Sequence, residues 1–406
     1  MRDIKKARIG FIGLGSFISN YHLQNAFLSK LIKIEGLCDI NPETVTRNEK
    51  IFKPAIATTD YKDLINSRNI DIIIIGTPQE THAGLVMECL KKDKWIYCEK
   101  PLCETGEEAR EILSAEKKSR GKLAIGFNRR FAPPYVKAKQ LLTSFKKPVF
   151  MTYRLASPGP VRYKQIYKNK PHIIYEGTHI LDLMCWFNND LPRTIYAAGD
   201  PLCNNLITLE FDNGNCASIA CVKLGSPCLW KEYLEIFAEN ASITVSEFID
   251  MRIRGIPGAY DTLYPLFRNN NTTDLKKHGF DFFEMTKNNY LGAWKNDGLS
   301  VETVKRHGQS AGLGRVKPNG LRNAYGEHAG FGPNKGWMES LEQFALAFIN
   351  KQKPRHADGT DGAVSTLLGL EAIKSLKQKK TIRFKELFLN KFTGLISVEA
   401  KKRGCK

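Results

Sequence analysis

Residues Arg8 to Ile12 read RIGFI, an apolar run, and lead directly into GLGSFIS and a helical pattern from Asn25 to Leu31. Strand, glycine turn and helix in that order form the context that gives a dinucleotide fingerprint its meaning, and they commit the chain to a doubly wound α/β frame. Gly13 permits the tight turn and Gly15 lets the backbone approach a pyrophosphate. The helix N-terminus contributes free N–H groups and the positive end of its dipole. Ser16 and Phe17 complete the turn. The third fingerprint position is Ile18 rather than glycine, so the motif needs support from the rest of the chain.

That support comes as repeated alternation. Ile32 to Cys38 read as a second strand, and Asp39 stands at its end, 21 residues beyond Ile18. A carboxylate there accepts hydrogen bonds from the adenosine ribose and repels a 2'-phosphate, and no arginine follows at once, so NAD is expected, with NADP as the alternative. Helix (Pro42 to Phe52), short strand (near Ala55) and helix (Tyr61 to Asn66) come next. Ile70 to Pro78, IDIIIIGTP, is the continuous apolar run of a strand buried on both faces. It ends in Thr77 and Pro78, with His82 opening the following helix. Trp95 to Pro101, WIYCEKP, delivers Glu99 and Lys100 at a strand end, where open α/β sheets bind ligands. Pro101 has no N–H and stops the strand. A helix (Thr105 to Arg120) and KLAIGFNRR (Lys122 to Arg130) close a Rossmann-type domain expected over residues 1–130.

Beyond a crossing helix (Pro134 to Phe145) the texture changes to period-two strands: PVFMTYRLA, TIYAAG, LITLEF, NCASIACVK, EYLEIFAE and SITVSEF, with a hairpin signal at Asp212-Asn213-Gly214. They predict an α+β domain over residues 131–390 with a large, mostly antiparallel open sheet. A sheet with one uncovered face asks for a partner, so a homodimer or homotetramer through that face is expected. Trp337 to Asn350 and Asp361 to Lys377 read as amphipathic helices. Between sheet and helices, residues 255–336 hold 13 of the 32 glycines and read as an irregular insertion. Residues 391–406 form a basic tail.

The length of 406 residues fits two domains. No segment approaches the ~20 apolar residues of a membrane span, and MRDIKKARIGFIGLG has no apolar core or cleavage site of a secretory leader. Ten cysteines are scattered without a CxxC pair or zinc-ligand spacing, so no metal is expected, and a reduced, cytoplasmic setting is the simplest account. The net charge of +19 is spread along the chain, denser only at Lys377 to Lys380 and in the tail, with no interleaved aromatics. A solvated surface explains it better than nucleic-acid binding does.

The chemistry concentrates in Ile173 to Phe187, IIYEGTHILDLMCWF. As one α-helix this places Tyr175, His179, Asp182 and Trp186 on a single face. A buried histidine satisfied by a neighbouring acid would explain the stripe without catalysis. Together with Lys100 it acquires a purpose: oxidising an alcohol needs a base and a cation that steadies alkoxide character.

GLGSFI, the Asp39 strand end, GTPQETH, CEKP, GFNRRF and EGTHILDL, in that order, resemble the Gfo/Idh/MocA oxidoreductases, which include glucose-fructose oxidoreductase and inositol dehydrogenase. The likeness covers most of the chain outside residues 255–336. Within the family, GFNRRFAP, YRLASPGP, IIYEGTHILDL and NKGWMESLEQF look like the Gfo/Idh-like domain of some bacterial bi-domain oxidoreductases. The resemblance implies an NAD(P)-dependent oxidoreductase acting on a secondary hydroxyl or ketone of a sugar, cyclitol or nucleotide sugar. It implies cofactor contacts from Gly13, Gly15, Ser16, Phe17, Ile18, Asp39, Thr77, Pro78, His82, Glu99, Lys100 and Asn128. Lys100 would orient the reacting hydroxyl and His179 would exchange its proton. Asp182, Glu176, Arg129 and Arg154 would meet substrate. Many members carry an aspartate four residues before the histidine, where this chain has Tyr175; either Tyr175 shares in proton transfer or contacts sugar, or Glu176 supplies the carboxylate. Two rival expectations share the fold: tightly held NAD serving a redox-assisted glycosidase or epimerase, and a non-catalytic sensor of dinucleotide or sugar.

Overall fold

The computed structural model describes residues 5–157, 171–200, 202, 204–223, 231–264, 266–268 and 331–396. Its first half alternates strand and helix: β1 (Ala7–Ile12), a π turn (Ile18–His22) running into α1 (Leu23–Leu28), β2 (Ile32–Cys38), α2 (Pro42–Phe52), β3 (Ile56–Thr58) and α3 (Tyr61–Asn66). Then come β4 (Ile72–Ile75), α4 (His82–Lys91), β5 (Trp95–Cys98), α5 (Gly106–Lys118) and β6 (Leu123–Ile125). The six strands pair in parallel in the order β3-β2-β1-β4-β5-β6. Helices cover both faces, which is why β4 is four isoleucines, all fully buried. Helix starts are fixed locally: the Asn41 side chain accepts from the Glu43 N–H, and Thr105 and Glu108 form a reciprocal capping box on α5.

The fingerprint departure at Ile18 has a structural counterpart. Ile18 is buried, and a Cβ added at Gly76, just past β4, would overlap its side chain. The close approach that the third glycine usually provides has moved to the facing strand end.

The second half is built on a nine-stranded sheet. It takes β7 (Phe150–Ala156), after α6 (Pro133–Leu141), and then β8 (Thr194–Gly199), after α7 (Thr178–Asn188). β9 (Asn204–Glu210), β10 (Cys216–Val222), β11 (Glu232–Ala238), β12 (Ala241–Ser246), β13 (Asp250–Arg254) and β14 (Thr262–Leu263) come after them. β15 (Leu266–Arg268) and β16 (Phe331–Pro333) form a separate ribbon. After α8 (Trp337–Ile349) and α9 (Gly359–Gln378), β17 (Ile382–Arg383) joins the large sheet, and α10 (Phe384–Lys391) is the last described helix. The order is β14-β13-β12-β11-β7-β10-β9-β8-β17, antiparallel throughout except for β7 beside β10. Gly214, at φ 81°, turns the β9–β10 hairpin as its sequence foretold. Alternate residues such as Met151, Tyr153, Ile207, Ile219 and Leu234 enter the core shared with α7 and α9, while Phe150, Tyr196, Leu206 and Phe237 stand exposed on the other face.

One late helix crosses back. α8 packs on the parallel sheet, where the Phe344 ring lies 5.4 Å from that of Trp95 and Ser340 meets the Tyr97 hydroxyl at 3.0 Å. The two halves are therefore stapled at the end of β5, the strand that carries Lys100. Among the described residues no helix is long and apolar enough to cross a membrane, and no three His, Cys, Asp or Glu side chains gather as a metal would require.

Candidate active site

The carboxyl ends of β1, β4, β5 and β6 form one rim, so the turns after them are neighbours. A Cβ on Gly13 (φ 86°) would lie 2.7 Å from the Thr77 N, which only glycine avoids, whereas the same test at Gly15 finds nothing within 4 Å. Asp39 is drawn to this turn. One carboxylate oxygen accepts from the Leu14 N–H at 2.7 Å and the other from Asn41 N–H at 2.9 Å. Glycine-lined open space, a helix start and a carboxylate at the second strand end fit a dinucleotide: Gly13, Gly15 and Ser16 would face its pyrophosphate and Asp39 its ribose. Phe17, 37% exposed, lies tilted against Tyr21 and edge-on to Trp337 at centroid distances of 5.1 and 6.0 Å. The wide π turn after it seats His22 inside the domain.

Three residues expected at the cofactor are occupied in holding the rim together. Glu99 is buried and meets His22 at 2.7 Å. His82 is buried with Nδ1 2.7 Å from the Pro101 carbonyl and Nε2 2.9 Å from that of Thr77, which ties the ends of β4 and β5. Asn128 donates to the Lys335 carbonyl at 2.7 Å. Thr77 and Pro78 accept from the Thr81 hydroxyl, both at 2.7 Å. All three shape the rim: both His82 ring nitrogens face protein carbonyls, Glu99 meets His22 and Asn128 holds the Lys335 carbonyl.

Lys100 reaches across to the second half. Its Nζ donates to the Tyr175 carbonyl at 2.6 Å and lies 3.5 Å from Glu176 Oε1. Glu176 also meets Lys231 at 3.0 Å and Arg129 at 3.9 Å. Burial works to raise the Glu176 carboxyl, but Lys231, Lys100 and Arg129 hold it well below the usual carboxylate range. His179 is buried, its ring edge-on to Phe127 at 5.8 Å, and its Nδ1 has no hydrogen-bond partner. Burial, then Arg129 and Lys100, push its imidazole well below its ordinary range, so the ring is neutral at neutral pH.

The single helical face expected over Tyr175, His179, Asp182 and Trp186 does not form. Ile173–Gly177 is a π turn and α7 begins only at Thr178. The wider turn rotates the residues before Thr178 relative to the α-helical face. The contact from Tyr175 to Lys100 is accordingly through its carbonyl, and the carboxylate beside Lys100 is that of Glu176. Asp182, expected to meet substrate, is 2% exposed and held bidentately by Arg130, with 2.8 and 2.5 Å contacts. With Arg130 it borders a separate cavity of about 540 Å³ that includes Trp95, Trp186 and His356. Arg129 is spent on Glu232, at 2.6 and 2.7 Å, and reaches Glu176 only from behind. Arg154 lies on the sheet face opposite Tyr153, its guanidinium 5.6 Å over the Tyr233 ring.

Sequence reasoning missed the residues that hold this group. Glu232 is fully buried, yet every part of it is met: Arg129, the Tyr153 hydroxyl at 2.6 Å and Lys335 Nζ at 3.0 Å. Lys335 also lies 3.4 Å from Glu247. A glutamate opening a strand beside Lys231, on the strand face that Leu234 and Ile236 share, was the only local hint.

Residues 7–127 match the model of the oxidoreductase family with an NAD-binding Rossmann fold, GFO_IDH_MocA. An inositol 2-dehydrogenase/D-chiro-inositol 3-dehydrogenase of Lactiplantibacillus plantarum is 30% identical over 201 residues, 47% of this chain and 55% of the relative. The chain thus spans about half the length of that curated relative. A myo-inositol 2-dehydrogenase of Thermotoga maritima is 23% identical over 94% of this chain and 99% of its own. The solved apo scyllo-inositol dehydrogenase of Lactobacillus casei superimposes with a TM-score of 0.68 at 14% identity, over 95% of this chain and 100% of that one, which speaks for the fold. The fingerprint turn, the strand order and these matches agree for the first half: residues 7–127 carry the NAD-binding Rossmann fold of the GFO_IDH_MocA oxidoreductase family.

Proposed function

We propose that the protein interconverts a secondary hydroxyl and a ketone on a sugar, cyclitol or nucleotide sugar, with NAD as redox partner and NADP as the alternative. The observation that carries this reading is the meeting of Lys100, at a rim strand end, with Glu176 and a neutral, buried His179 across the seam between the halves. The inositol dehydrogenase names of its relatives support a cyclitol or sugar. Bound NAD would supply a two-electron acceptor for the carbinol carbon.

The chain's own residues do the rest. The Lys100 ammonium, fixed by the Tyr175 carbonyl and Glu176, orients the hydroxyl and stabilises negative charge developing on its oxygen. The His179 ring, kept neutral by burial and by Arg129 and Lys100, takes the hydroxyl proton. Glu176 stays ionised and holds the Lys100 and Lys231 ammonium groups in place. Following nicotinamide absorbance over a polyol and nucleotide-sugar panel tests the reading. Lys100→Ala should cut kcat/KM by roughly 100-fold or more while dinucleotide affinity persists; equal rates in both proteins would remove Lys100 from the reaction.

A further inference from the structure

Two consecutive arginines follow β6 and turn to different acids. Arg130 pairs with Asp182 and Asp361 beside the separate cavity, whereas Arg129 lies between two carboxylates. Its Nε is 2.6 Å from Glu232 Oε2 and its Nη2 is 2.7 Å from Glu232 Oε1, while the same Nη2 is 3.9 Å from Glu176 Oε2. The forked pair is made with Glu232 and the loose one with Glu176. Glu176 is thereby left to Lys100, at 3.5 Å, and to Lys231, at 3.0 Å.

Glu232, at the start of β11, is fastened on every side. Oε1 also receives Lys335 Nζ at 3.0 Å, Oε2 receives the Tyr153 hydroxyl at 2.6 Å, and the Glu232 N–H donates to Glu247 Oε2 at 2.8 Å. Tyr153 stands on β7, Lys335 precedes α8 and Glu247 follows β12, so three separate elements fix one carboxylate. Lys335 is itself tied beside Arg129, because its carbonyl accepts from Asn128. Glu247 and Phe248 both hold positive φ, 46° and 63°, without being glycine, and both are buried. That turn brings a carboxylate to Glu232 and a ring to within 5.1 Å of Lys335 Nζ. Such backbone costs stability, and a buried ion cluster gains little over an apolar one of the same volume. What the arrangement secures is the place of Arg129. Released from Glu232, the guanidinium has Glu176 within 3.9 Å and would draw that carboxylate off Lys100.

We infer that Glu232 is a positioning residue: it holds Arg129 back from Glu176, so that Glu176 stays with the Lys100 ammonium where the reacting hydroxyl is oriented. The part played by Lys100 rests on the oxidoreductase reading, and its place rests on these contacts alone.

The test compares Glu232→Gln with Lys385→Met in the full chain. Lys385→Met breaks another buried ion pair of the same half, with Asp190 at 3.1 Å and Asp212. Glu232→Gln should lower kcat by about 10- to 100-fold at unchanged dinucleotide Kd, the effect of a small misplacement at the reacting centre. An amine-reactive reagent should label Lys100 several-fold faster, read by mass spectrometry of its peptide. Lys385→Met should lose thermal stability with kcat and Lys100 labelling at parent values. Because Glu232 acts through Glu176, adding Glu232→Gln to Glu176→Gln should lower kcat no further than Glu176→Gln alone. Parent kcat or parent labelling in Glu232→Gln, an equal kcat loss in Lys385→Met, or additive losses in the double variant would overturn the inference. Should Glu232→Gln not fold, Tyr153→Phe removes one neutral donor from the same carboxylate; the same shifts, smaller, are expected of it, and parent values there count equally against the inference. A parent protein that changes nicotinamide absorbance with no member of the polyol and nucleotide-sugar panel sinks the oxidoreductase reading, and Lys100 labelling alone then decides whether Glu232 holds the site. Parent turnover together with unmoved labelling in Glu232→Gln does the reverse.

Discussion

The two sheets use buried charge in opposite ways. On the parallel sheet, ionisable groups that leave solvent do so in single pairs, such as His22 with Glu99, and the rim is shaped mainly by glycines, carbonyls and strand ends. On the nine-stranded sheet, Glu232, Glu247, Arg129, Lys335, Glu176, Lys231 and Lys100 form one alternating network that runs from the core to the candidate site. The contrast teaches that backbone geometry shapes the rim of the parallel sheet, whereas side-chain electrostatics shape the part of the second half that meets Lys100. A paired network in low dielectric is stable only when complete, since removing one member strands another.

Arg129→Met probes that asymmetry hardest. It leaves the fully buried Glu232 without its bidentate partner and should cost ~3–5 kcal/mol in denaturant unfolding. A loss below about 1 kcal/mol, the size expected of an exposed pair, would dissolve the contrast between the halves. On the cofactor side the matching experiment contrasts two glycines. Gly13→Ala forces a positive φ and a clash with the Thr77 backbone and should cost ~1–3 kcal/mol. Gly15→Ala meets no protein atom, so stability should stay within about 0.5 kcal/mol while the dinucleotide Kd rises by about 10-fold or more. Unchanged affinity in Gly15→Ala would move the pyrophosphate away from this turn.

The last effect is read as a pH dependence and concerns an exception on the parallel half. Glu116, near the end of α5, lies against the start of α9 and is pushed up to about 8 by burial and by Asp358, despite the Gly359 N–H. Because the folded chain holds that proton more tightly than the unfolded chain, Glu116 lowers stability progressively as pH rises from about 4.5 towards 8. Glu116→Gln lacks this term. Its melting temperature should match the parent near pH 4.5 and exceed it most above pH 8, and a difference independent of pH would assign Glu116 an ordinary ion-pairing role.

Much of the frame was legible because its signals are local. The RIGFI strand, the GLG turn, Asp39, the isoleucine run and the EKP strand end each sit within a few residues of what they shape. The period-two strands and the Asp212-Asn213-Gly214 turn likewise declare an open sheet. Legibility ends where one more residue in a turn changes which way side chains point: a π turn at Ile173–Gly177 has no compositional mark, so the pattern favours the Tyr175 side chain where Glu176 supplies the charge. It ends again where partners lie far apart in sequence, as with Arg130 and Asp182 or Arg129 and Glu232.

By itself, then, the sequence determined the glycine turn after β1 and the alternation of strand and helix that builds the parallel sheet, because periodicity and turn chemistry act over short stretches. Only the tertiary structure decided which charges meet. Lys231, Lys335 and Glu232 become parts of one charge network through the packing of two sheets and a returning helix, and the energy of a charge depends on how near its partner lies and how little water remains between them.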